Sequence, residues 1–218
     1  MPGSFNTSYL NVLTLGLPQS DRAVCYPPPM RKSNRDWIIE RTAALLKTSG
    51  YLRTPLSEIM EATGMPKGGI YHHFESRDEL ALAAFRHSAN EIGEGLQKRL
   101  EGEKSAARKL AIMVRYPLET YWKGGCPVGN LAIEADDSHR ELAKVARKAM
   151  DWMIALFEGV IRDGIKAGEF EKVDARAEAI RMVSAIEGGI LLANLYKDPA
   201  YLEGIVTGLE REIRAGLR

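Results

Sequence analysis

The chain has 218 residues, a length for one generous domain or two small ones, and its 45% hydrophobic and 27% charged residues fit a soluble globular protein. A net charge of +1 excludes a polycation, so nucleic-acid binding would have to come from a local patch. No apolar run approaches the about 18 to 20 residues that span a bilayer, and two cysteines, Cys25 and Cys126, give neither a disulfide framework nor zinc-ligand spacing. The expected setting is reducing and cytoplasmic, with no membrane, metal or cofactor.

Residues 1–30 are rich in Ser, Asn, Pro and Gly and close on Pro27-Pro28-Pro29, which predicts a disordered arm. The apolar stretch Tyr9 to Leu17 has no basic residue before it, so it does not read as a signal peptide. Met30 stands where the helical pattern begins and is a candidate start of translation. Ser33 followed by Asp36 resembles a capping box, and Ile38, Thr42, Leu45 and Leu46 fall on one face of a first helix that Gly50 ends. A short second helix is predicted to Thr63, with Thr54 as N-cap and Pro55 in its first turn. Gly64 breaks it, Pro66 starts a third to about His73, and Ser76 caps a fourth from Arg77 to about Leu100. Further helices are predicted at about 105–122, 129–136, 139–167, 174–196 and 199–216, separated by Gly124-Gly125, Asp136-Asp137, Gly168 and Asp198-Pro199. The fold class is all-α.

Two short helices joined by a glycine turn and packed on a longer one make a helix-turn-helix. Ile59 and Ile70 are expected to bury between its helices, leaving Lys67, Gly68, Gly69, Tyr71 and His72 near the end that enters a major groove. Lys67 suits a phosphate or a guanine edge, Tyr71 and His72 offer donors to phosphates, and the glycines allow close backbone approach. Arg53, Thr54 and the first amides of the second helix complete a phosphate site, with Arg77 reaching the backbone from the fourth helix. Residues 31–86 hold nine basic and seven acidic side chains, a weak surplus of +2, so geometry rather than charge carries the DNA reading. His72 and His73 point about 100° apart on a helix and chelate a metal poorly, and the glycine pair lacks the spacing and preceding strand of a phosphate loop.

The stretch GYLRTPLSEIMEATGMPKGGIYHHFESRDEL, residues 50–80, resembles the DNA-binding domain of the tetracycline-repressor (TetR) family, and GIYHHFESRDEL is its most specific part. The segment GCPVGNLAIE, residues 125–134, resembles the LmrA/YxaF-like branch of that family. The resemblance implies a helix-turn-helix domain over 31–85 and a ligand-binding and dimerisation domain over 86–218. Two positions depart from it: Met60 stands where the family usually has alanine, and Gly69 where it often has Ser or Thr.

The resemblance also implies a homodimer through residues 174–216, a palindromic operator in double-stranded DNA, and a small, largely apolar effector that releases it. A pocket is expected among the helices at 105–122, 139–167 and 174–196, where Met113, Tyr116, Trp122, Trp152, Met153 and Phe157 serve either as walls or as plain core. Glu187 and Asn194 are polar residues in an apolar helix, facing a ligand, a partner subunit or solvent. Cys126 has two readings: a small buried residue at a helix start, or an oxidant or electrophile sensor whose thiol the helix N-terminus and nearby Lys123 activate. The residues offer no nucleophile–base pair at a telling spacing, so an enzyme is not expected. A helical interaction module that has lost DNA binding is the remaining rival.

Overall fold

The computed structural model describes residues 34–50, 54–121, 124–135 and 139–217, which form helices and, among the described residues, no strand. In chain order these are α1 (Asn34–Ser49), α2 (Leu56–Thr63), α3 (Lys67–Tyr71), α4 (Arg77–Leu100), α5 (Ala106–Thr120), α6 (Pro127–Glu134), α7 (Arg140–Ala167), α8 (Ala175–Tyr196) and α9 (Ala200–Arg214). The arm, Cys25, the Ser33 cap, Arg53, Trp122, Lys123 and the Asp136-Asp137 break lie outside the described residues.

The helix boundaries follow local chemistry. Ser76 caps α4 by accepting from the Glu79 N–H at 3.1 Å, and Glu79 accepts in return from the Glu75 N–H at 2.6 Å. Asp174 caps α8 by accepting from the Arg176 and Ala177 N–H groups. Gly168 ends α7 in the left-handed region, at φ 75°. Directly after it, Glu169 turns its carboxylate onto the start of α5, accepting from Ser105 Oγ at 2.6 Å and from the Ala106 and Ala107 N–H groups at 3.0 Å.

Two hydrophobic cores result. The first holds Ile38, Ile39, Ile59, Ile70, Phe74 and Leu80 and joins α1 to α4, with Met60 and Met65 at its edge. The second is larger and runs from Ala81 of α4 through α5 to α9. α4 therefore serves both, its first turn in one core and the rest in the other. α6 lies between them and touches α7 as well as α1 and α4.

Two sequence expectations need correction here. Thr54 does not cap α2; Pro55 holds that position, and the buried Thr54 hydroxyl instead donates to the Gly50 carbonyl at 2.6 Å. α8 is long and apolar enough, by length and composition, to cross a membrane. The sequence conceals this because Arg181, Glu187 and Asn194 interrupt the run. Those polar residues, and the packing of α8 on α7 and α9, mark it as a helix of the second core.

Candidate nucleic-acid interface and effector site

Gly64 makes the turn between α2 and α3 with a φ of 67°, where a Cβ would meet no atom but the backbone would be strained. Thr63 stiffens the same turn: its hydroxyl donates to the Ile59 carbonyl at 2.7 Å and accepts from the Met65 N–H at 3.3 Å. The Trp37 indole N–H of α1 donates to the Thr63 carbonyl at 3.0 Å, which fixes the end of α2. Arg77 donates to the Thr54 carbonyl at 2.8 Å and ties α4 to the start of α2. Sequence reasoning missed Trp37 and Thr63, because both act through backbone carbonyls that periodicity does not show.

On this frame α3 buries Ile70 and turns Lys67, Gly68, Tyr71 and His72 outward. Lys67 Nζ stands 5.9 Å from the Tyr71 ring centroid. His73 is half-buried and Phe74 buried, so of the adjacent histidines only His72 is exposed. Pro66 is the N-cap rather than the first residue of α3. Gly69 faces Met65, whose Cε would lie 3.1 Å from an added Cβ. Thr54 is sealed inside, so its hydroxyl has no access to a phosphate in this conformation, and Arg77 is half-buried on its carbonyl partner.

In the second core Met113, Tyr116 and Phe157 are buried, whereas Trp152 and Met153 are half-buried on α7. Tyr116 packs edge-on to Tyr121 with ring centroids 5.9 Å apart. Two cavities can be described, and the residues lining them are not those expected to form the pocket. One, of about 30 Å³, lies between α1, α4 and α6. The other is a cleft of about 580 Å³ between Ala132 and Ala135 at the end of α6 and Arg140 to Met150 of α7.

Asn194 and Glu187 resolve differently from one another. The Asn194 carboxamide accepts from the Gly124 N–H at 2.9 Å and donates to the Ile190 carbonyl at 3.0 Å, so it fastens the α5–α6 connection to α8. Glu187 meets the first turn of α6, where its carboxylate lies against Gly129 and close to the Cys126 thiol. Cys126 itself is buried, and burial followed by the Glu187 charge pushes its thiol well above the ordinary range. This favours the reading of Cys126 as a small buried residue over that of an activated thiol, since desolvation and an acidic neighbour outweigh the amides of Val128 and Gly129. No group of three or more metal-ligating side chains occurs among the described residues.

Residues 38–84 match the family model of bacterial regulatory proteins of the tetR family, and residues 85–209 match that of the tetracyclin repressor-like C-terminal domain. A TetR transcriptional regulator from Chloroflexus aurantiacus is 35% identical, covers 83% of this chain and 93% of its own, and superposes with a TM-score of 0.77. Among curated relatives, the HTH-type transcriptional regulator LmrA of Bacillus subtilis is 29% identical over 73% of this chain and 86% of its own length. YxaF of the same organism is 25% identical over 77% and 88%. The exposed short helix set on a glycine turn and the helical core behind it thus have their counterparts in known regulators, and the chain belongs to the TetR family of helix-turn-helix, DNA-binding transcription regulators.

Proposed function

We propose that this regulator is a dimeric repressor that a small effector releases from a palindromic operator in the cytoplasm. The observation that carries the reading is the outward display of Lys67, Gly68, Tyr71 and His72 on a helix whose inner side is fixed by Ile70. Lys67, Tyr71 and His72 would meet the major groove and its phosphates, with Arg53 and Arg77 flanking. Dimerisation rests on α8 and α9, where Leu191, Leu195 and Tyr196 are each more than half exposed and Tyr196 stacks on the exposed Tyr201 with centroids 4.8 Å apart. An apolar face of this kind marks an interface, and a two-fold dimer matches an inverted repeat. Gly189 serves the chain's own packing, since its Cβ would lie 3.0 Å from Leu202 of α9, whereas Gly188 faces open space on the other side.

α6 is the route by which an effector would act. Its start is tied to α8 through Gly124 and Cys126, and its far end carries Glu134 over Gly50 at the end of α1. A hundredfold loss of operator affinity needs the effector to bind the released state more tightly by about 2.7 kcal/mol. The test is to pass random genomic fragments over the purified protein, with excess non-specific DNA at near-physiological salt, and to sequence what is retained. A short inverted repeat is the expected product. Enrichment of nothing, at any effector-free condition, defeats the repressor reading and favours a helical interaction module.

A further inference from the structure

The cleft between α6 and α7, about 580 Å³, falls within the range of small-molecule sites, about 300 to 1,000 Å³. Its floor is apolar: Ala132 and Ala135 of α6 line it with Ala143 and the buried Ala146 of α7, and Met150 lies beside them. Its other lining residues, Arg140 and Arg147, are cationic and exposed, and they stand on the α7 wall two helical turns apart, about 10 Å. The Arg147 Nε donates to the Ala143 carbonyl at 3.4 Å, which lays that side chain along the wall. Among the described residues no acidic side chain lines the cleft.

The place of the cleft gives it a bearing on the DNA-binding half. On its α6 wall, between Ala132 and Ala135, Glu134 lies over the end of α1 so closely that a Cβ at Gly50 would collide with its carboxylate. On its α7 wall, next to Arg140, His139 Nδ1 stands 3.7 Å from Asp78 Oδ2 in the first turn of α4. A molecule wedged between α6 and α7 therefore bears on a contact to α1 and a contact to α4.

An apolar floor beside two guanidinium groups selects an amphiphilic anion. The body leaves water on the alanines, and the planar N–H forks meet a carboxylate with paired, charge-assisted hydrogen bonds. We propose that this cleft is the effector site and that the effector is an amphiphilic carboxylate, an aliphatic body bearing one acid group that pairs with Arg140 and Arg147. Its seating between α6 and α7 shifts Glu134 against the end of α1 and weakens operator binding. This deepens the proposed repressor function and rests on it.

The test uses the full chain and three probes with one tail and different heads: octanoate, 1-octanol and n-octylammonium, each titrated calorimetrically and then added to the operator complex. Octanoate is expected to bind at least tenfold tighter than octanol, with octylammonium weakest, and to lower operator affinity at saturation. Replacing both arginines, Arg140→Gln with Arg147→Gln, should bring octanoate down to the level of octanol. Lys148→Gln removes an exposed charge from the same helix outside the cleft and should keep the preference for the acid. Ala143→Leu, which fills the cleft, should weaken all three probes. Equal binding of acid and alcohol by the wild-type protein overturns the proposal; it is the result to be seen if Asp136 and Asp137, which lie outside the described residues, hold the arginines. Binding of none of the three at millimolar concentration, an unchanged acid affinity in the folded double variant, or bound octanoate that leaves operator affinity unchanged overturns it as well. The wild-type series decides the matter even where a variant does not fold. Retention of the inverted repeat by the same preparation separates the two readings: with operator bound and no preference for the acid, only this inference falls.

Discussion

The helix-turn-helix and α8 treat their polar and apolar groups in opposite ways. Around the turn, the side chains of Thr54, Thr63, Trp37 and Arg77 are spent on the chain's own carbonyls, at 2.6 to 3.0 Å. Thr42 Oγ1 in α1 is the exception there. In α8, Glu187 points inward to a weak partner, and Leu191 and Leu195 point outward to none. The first region is complete as a single chain, because a recognition helix must keep its shape while bound and free. The second leaves an apolar face exposed at Leu191, Leu195 and Tyr196, the side on which the proposed second subunit would come. Incomplete satisfaction in a folded chain is thus a guide to partners.

The largest effect is expected where α8 is most exposed. Leu195, 67% exposed, is to be replaced by glutamate. A charge there costs the single chain little but several kcal/mol once buried between subunits. Light scattering should show monomer, and operator affinity should fall about a hundredfold or more as the second half-site is lost. A dimer that persists would refute this face as the interface. Next come Lys67→Ala and Tyr71→Ala, which touch no part of the completed frame. Each should cost about 1 to 3 kcal/mol of operator binding and leave the melting temperature unchanged. A parallel loss of stability would contradict the division of labour drawn here.

Arg77→Ala attacks the frame itself. It removes the donor from the sealed Thr54 carbonyl, so the expected cost is about 1.5 to 3 kcal/mol of stability, read by urea denaturation. An operator affinity that falls further than the fold does would show that Arg77 also reaches a phosphate, as proposed; one that falls only as far as the fold would confine it to the frame. Glu169→Gln tests a carboxylate that two backbone N–H groups and the Ser105 hydroxyl answer. Burial works against its charge, but the Ala107 and Ala106 N–H groups and the Ser105 hydroxyl hold its pKa below the ordinary value. The stability this supplies is present above the unfolded carboxyl pKa, about 4.3, and is lost as pH falls through the lower folded value. The variant should be about 0.5 to 2 kcal/mol less stable at neutral pH, and the gap should close in acid.

Most of this frame was legible in the sequence, and the limits have physical causes. Glycine and proline breaks located the helices because those residues act through their own backbone. Ile59 and Ile70 were identified as core because helical spacing assigns a face. The failures arose where a side chain's partner is not the one its residue type suggests. Thr54 reads as a cap by type, yet the Gly50 carbonyl four residues earlier takes its hydroxyl. Asn194 reads as ambiguous until α8 is set against Gly124, 70 residues away. Cys126 reads either as a buried residue or as a thiol activated by its helix until its burial, and Glu187 beside it, are seen. Periodicity names the face of a helix but not the neighbour it meets.

The smallest effect concerns the two glycines of α3, and it separates packing from recognition. A Cβ at Gly68 would meet nothing within 4 Å, and one at Gly69 would meet only the flexible end of Met65 and the edge of Pro66. Neither glycine is required by space or by backbone angle, and each costs a helix up to about 1 kcal/mol against alanine. Gly68→Ala and Gly69→Ala should therefore raise the melting temperature, by about 2 to 4 °C for Gly68 and less for Gly69, where Met65 must give way. If the glycines are kept for close approach of the backbone to DNA, the exposed Gly68→Ala variant must bind operator more weakly while being more stable. Stability and binding would then move in opposite directions at one methyl group. Unchanged operator affinity in Gly68→Ala would remove that position from the interface and leave Lys67, Tyr71 and His72 to read the groove.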